Sequence, residues 1–150
     1  MRQIAIIDTC VLLNLLRVPG QCQDADEIAE QFAVLVAEAT ELLLPVPVLV
    51  ETGNHIAALE SGGQRRQYAR MLDQFIGATE GPVRVTLVDA SPDEVARWRA
   101  VYVDRIVDGL GMADASMVAL HARLTARNLH PRTFIWSVDA HLRGYDTPAR

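Results

Sequence analysis

Lysine is missing from this chain: all 14 of its basic residues are arginine. That absence removes any mechanism built on a catalytic or phosphate-holding lysine. P-loop nucleotide chemistry goes with it, since its glycine-rich loop is missing too. No G-x-S-x-G motif is present, which leaves a serine hydrolase without its nucleophile turn. Cysteine is scarce: Cys10 and Cys22 form no C-x-x-C, so neither a disulfide framework nor a structural zinc site is expected. No apolar run reaches the roughly 18 residues of a membrane span. The N-terminal apolar stretch is too short for a secretory signal and meets an acid at Asp8. These absences point to a cytoplasmic protein with no membrane partner.

What remains suits one folded domain over residues 1–150. Half of the 150 residues are apolar, enough for a hydrophobic core, and a charged fraction of 22% argues against long disorder. The formal charge of −5 weighs against a general nucleic-acid coat protein. Carboxylates that bind a divalent cation, however, count as negative until it arrives.

Strand-like and helix-like segments alternate along the chain. Residues 3–7 read as a buried strand, 9–16 as a short helix, and 24–39 as a helix with Ile28, Phe32, Leu35 and Val36 on one face. A short strand at 42–44 leads through Pro45 and Pro47 into a helix over 47–59. Residues 61–64 read as a loop, 65–76 as a helix, 77–82 as a break and 83–88 as a strand. Ser91-Pro-Asp-Glu94 has the pattern of a capping box and opens a helix to about residue 107. Gly109-Leu-Gly111 separates it from an apolar helix over 112–124, and Pro131 precedes a strand over 133–138 and a tail over 141–150. This alternation indicates an α/β layer with a mainly parallel sheet.

Four acids stand out against this apolar background. Asp8 and Asp139 close strand-like runs, and Glu51 and Asp114 lie in largely apolar helical segments. Each has an ordinary explanation. Asp8 or Thr9 can cap the next helix, and Asp139 can cap a terminal turn. Glu51 can face solvent and pair with His55 one turn on, and Asp114 suits the positive end of a helix. Their joint placement is harder to dismiss. Ligands of open parallel sheets bind outside the carboxyl ends of the strands, where Asp8 and Asp139 fall. Carboxylates converging there repel one another unless a cation neutralises them. All-oxygen ligands select hard cations, so Mg²⁺ or Mn²⁺ fits better than zinc, and such a site can serve phosphodiester hydrolysis.

Four segments carry a resemblance. Ile7-Asp-Thr-Cys-Val-Leu-Leu13, Pro47-Val-Leu-Val-Glu51, Met112-Ala-Asp-Ala115 and Trp136-Ser-Val-Asp-Ala-His-Leu142 resemble the four acidic motifs of PIN domains, in that family's order and across nearly the whole chain. The resemblance implies a three-layer α/β/α sandwich and a Mg²⁺- or Mn²⁺-dependent endoribonuclease site formed by Asp8, Glu51, Asp114 and Asp139. It implies supporting or phosphate-contacting hydroxyls at Thr9 and Ser137. It also implies an RNA substrate, a homodimer and, by similarity to VapC-type toxins, a cognate antitoxin in a type II toxin–antitoxin module. Cys10 departs from the pattern, standing where relatives often carry serine or asparagine.

Phospho-receiver domains and haloacid-dehalogenase-like phosphatases also place an aspartate after the first strand, but both use a lysine. A PIN-like module that binds RNA or protein without cutting is the remaining alternative. Arg65, Arg66 and Arg70, and then Arg97, Arg99 and Arg105, offer candidate phosphate contacts. They read more readily as the solvated faces of their helices. Trp98, Tyr102 and Ile106 form a stripe for core or dimer interface. Asn14 reads as an exposed helix residue, Asp108 as a spare acid in a loop, and His141 as a possible neighbour of the substrate.

Overall fold

Ile4–Ile7 forms β1, and every side chain in it is buried. Such an unbroken apolar run is what a strand covered on both faces requires. In this computed structural model, which describes residues 3–77, 83–126 and 132–145, three further strands join it. They are β2 (Glu41–Pro45), β3 (Arg84–Val88) and β4 (Thr133–Trp136). All pairings are parallel and the order is β3-β2-β1-β4. Six α-helices connect them among the described residues: α1 (Thr9–Leu15), α2 (Ala25–Ala37), α3 (Val46–Ala57), α4 (Gly62–Ile76), α5 (Pro92–Arg105) and α6 (Met112–Ala126). The expected α/β class with a mainly parallel sheet is what the chain adopts.

The strand order explains the layers. Connections through α1–α4 step from β1 to β2 to β3, and the connection through α5 and α6 returns to the far side of β1. Right-handed crossovers put these two groups on opposite faces of the sheet, giving an α/β/α sandwich. Side chains on β4 follow the alternation. Trp136 stacks on Phe32 of α2 with ring centroids 6.3 Å apart, and its indole N–H donates to Gln31 at 2.7 Å. Although β4 is an edge strand, its Ile135 N–H donates to the Tyr145 carbonyl at 2.6 Å, so the following segment covers that edge.

Several local expectations need correction. Gly62–Gln64 are not loop but the first turn of α4, because the Ser61 hydroxyl caps it by accepting from Gln64 N–H at 3.3 Å. The helix opened by Ser91 ends at Arg105, and Ile106–Asp108 tightens into a 3-10 turn. Glu94 does not complete a capping box with its side chain. It is buried between α5 and α6, with its Oε1 2.9 Å from Arg97 and 2.7 Å from Arg123. Asn14 is buried rather than exposed: its amide donates to the Cys10 carbonyl and accepts from Asp24 N–H, tying α1 to the start of α2. Most of the expected break at 77–82, Pro131, and residues 146–150 of the tail lie outside the described residues. Among those described, no helix is long and apolar enough to cross a membrane.

Candidate functional site

Because β1 ends at Ile7, Asp8 is the first residue beyond the carboxyl end of an interior strand. Ile7 is in register with Trp136, which sets Ser137 level with Asp8 and Asp139 two residues further on. The boundary between β1 and β4 is also where the direction of strand addition reverses, and a crevice opens at such a switch point. Two helices supply the remaining acids. Pro45 closes β2 and starts α3, which carries Glu51. Asp114 sits in the first turn of α6.

These elements enclose one cleft of about 330 Å³. Asp8, Glu51, Asp114 and Asp139 all line it, as do Thr9, Cys10, Gln21 and His55. Their environments differ. Asp8 is 5% exposed, whereas Asp114 and Asp139 are half-buried and Glu51 is exposed. Glu51 therefore keeps its hydration, as its reading as a solvent-facing helix residue expects.

The helix-capping and cleft-lining readings of these acids prove compatible. Asp8 is the N-cap of α1 and accepts from Thr9 N–H at 2.6 Å. Its second oxygen accepts from the Ser137 hydroxyl at 2.5 Å and the Cys10 thiol at 3.0 Å. Ser137 in turn accepts from Asp139 N–H at 2.9 Å, and Asp139 accepts from His141 N–H at 2.9 Å. Asp114 accepts from Gly111 N–H at 3.2 Å. Ser137 does not line the cleft itself; it reaches it through Asp8.

The electrostatics record how near these groups lie. Burial pushes the Asp114 carboxyl up to about 6, opposed by the Gly111 N–H and reinforced by the charges of Asp8, Asp139 and Glu51. Burial also raises the Asp8 carboxyl, with Asp139 adding to the rise and hydrogen bonds from Cys10, Ser137 and Thr9 opposing it. The Cys10 thiol is pushed up to about 12, first by burial and then by the Asp8 charge beside it. The carboxylates thus share one field. Even so, among the described residues no three acid, histidine or cysteine side chains stand as a ready-made metal cage.

Residues outside the acidic set fall on both sides of the expectations. Gln21, His55 and Cys10 join the cleft wall, although the sequence singled none of them out for it. For His55 a signal existed in its spacing of four from Glu51; Gln21 follows a Pro-Gly turn and offered none. Asp108 is exposed and paired with Arg105 at 3.0 Å; it does not itself line the cleft, although Gly109 beside it does. His141 is exposed and does not line the cleft. Three of the candidate phosphate-binding arginines are committed elsewhere. Arg65 donates to the Leu59 and Glu60 carbonyls, Arg97 pairs with Glu94, and Arg105 pairs with Asp108. No protein-family model matches the chain, and no curated protein sequence matches it significantly.

Proposed function

We propose that this chain is a Mg²⁺- or Mn²⁺-dependent endoribonuclease of the PIN-domain kind. The observation that carries the reading is the meeting of Asp8, Glu51, Asp114 and Asp139 in one cleft at the switch point of a parallel sheet. Three features support a hard divalent cation there. The carboxylate donors are all oxygen, and burial, reinforced by the charges of its acidic neighbours, holds Asp114 protonated to about pH 6. The Thr9 hydroxyl, in the same wall, is buried without a hydrogen-bond partner.

Asp8, Asp114, Asp139 and Glu51 would hold the cation. Bound there, it supplies charge neutralisation and an activated water for in-line attack on a phosphodiester. The chain's own residues prepare the site. Ser137, Cys10 and the Thr9 N–H fix the orientation of Asp8, while the Asp139 N–H orients Ser137. Asp114 gives up its proton to serve as a ligand, so cation binding weakens progressively as pH falls below about 6.

A second reading, a PIN-like module that binds RNA or protein without cutting, is favoured by the lack of a ready-made cage among the described residues. Incubating single-stranded RNA with the wild-type chain and with Asp8→Asn, each with and without Mn²⁺, separates the two. The nuclease reading expects cleavage only by the wild type with metal. RNA that is retained but never cut supports the binding module instead.

The proposal extends to a cytoplasmic homodimeric toxin neutralised by a cognate antitoxin. That part rests on the motif resemblance alone. Its test is growth arrest on expression, relieved by the product of an adjacent small gene; absence of both leaves a PIN-type nuclease without a toxin role.

A further inference from the structure

We propose that His55 contacts an RNA phosphate beside the bond to be cut, an inference that rests on the ribonuclease reading above. Four carboxylates line the cleft, and among the residues lining it His55 alone has a side chain able to carry positive charge. A polyanion entering this cleft meets a charge problem that one divalent cation offsets only in part. The candidate arginines do not solve it: none of them lines the cleft, and Arg65, Arg97 and Arg105 are engaged with the carbonyls of Leu59 and Glu60 or with carboxylates.

Position and freedom both suit His55 to the task. It lies four residues after Glu51 on α3, one helical turn along the same face. It is half-buried, and among the described residues no hydrogen bond or ion pair engages its ring. An imidazole N–H directed into the cleft can donate to a non-bridging phosphate oxygen, which positions the strand without reading sequence. His55 therefore acts mainly in substrate binding, while Asp8 and its acidic neighbours serve the reacting phosphodiester.

Steady-state cleavage of single-stranded RNA in Mn²⁺ tests this with the wild type, His55→Ala and His55→Arg. The expected result for His55→Ala is a KM raised about tenfold with kcat within about twofold, as for lost uniform binding. His55→Arg restores KM, and the salt dependence of KM flattens in His55→Ala by roughly the slope of one phosphate contact. Mn²⁺ affinity, followed by calorimetry without RNA, stays at the wild-type value in both variants. An unchanged KM in His55→Ala overturns the inference while leaving the nuclease reading intact, as does failure of arginine to restore it. A wild-type chain that cuts no RNA overturns the nuclease reading itself.

Discussion

The Ser137 hydroxyl donates to Asp8 Oδ2 at 2.5 Å and so holds the most buried acid of the cleft from a neighbouring strand. Its oxygen also accepts from Asp139 N–H at 2.9 Å, so one side chain sets two of the four acids relative to each other. Replacing Ser137 with alanine removes a charge-assisted hydrogen bond without opening the core. We expect RNA cleavage to fall about 10- to 100-fold, the usual loss for a residue that orients a metal ligand. Circular dichroism checks that the fold persists. Wild-type rates in Ser137→Ala would show that Asp8 is held well enough without it.

Asp114 makes stability depend on pH in an unusual direction. Its carboxyl titrates near 6 in the folded chain, against an ordinary value of 3.8, so the folded state binds this proton more tightly than the unfolded state. Its contribution is therefore greatest below about pH 4 and is lost as pH rises through 6. Without metal, Asp114→Asn raises the melting temperature at pH 7.5 by about 2–4 °C, the shift that about 1 kcal/mol produces in a chain of this size. That figure allows for solvent screening of a half-exposed group. Melting curves of both proteins between pH 4 and 8 check this, and parallel curves across that window would contradict it.

Much of this site could be read from the sequence, for a physical reason. Asp8 and Asp139 follow apolar runs that read as buried strands, and parallel strands bring such ends to one edge of the sheet. Glu51 was legible both as a solvent-facing helix residue and as a member of the acidic set, and the exposed face of α3 that borders the cleft makes it both. Gln21 was not legible as a wall residue, and His55 only through its spacing from Glu51, because which loop and which helix face border a crevice depends on tertiary packing. Glu94 shows the same limit. Its spacing from Ser91 fits a capping box, but an arginine on α6, 29 positions later in the chain, captures its carboxylate.

Cys10 is a hydrogen-bond donor rather than a nucleophile. With its thiol pushed up to about 12, it stays protonated at neutral pH and keeps donating to Asp8. Iodoacetamide at pH 8 is expected to leave Cys10 unmodified in the native protein and to alkylate it after denaturation, as read by peptide mass spectrometry. Rapid native alkylation at Cys10 would contradict this assignment.

Helix α2 ends in a Schellman arrangement in which Thr40 N–H reaches the Leu35 carbonyl at 2.9 Å and Ala39 takes φ +53°. A Cβ is strained in that left-handed conformation, so Ala39→Gly stabilises the fold by about 1 kcal/mol. Urea denaturation measures it; an unchanged or lower midpoint would show that the added freedom of glycine in the unfolded chain outweighs the relief.

Central to this account is a single divalent-cation site shared by four carboxylates. Anomalous diffraction from crystals soaked in Mn²⁺ above pH 7, with Asp8→Asn as the control, tests it most directly. The account predicts at least one Mn²⁺ peak in the cleft, about 2.0–2.3 Å from carboxylate oxygens of Asp8 and at least one of Asp114, Asp139 and Glu51, and lost or weakened in the variant. A cleft that holds no ion at saturating Mn²⁺, with the four carboxylates still apart, would contradict it.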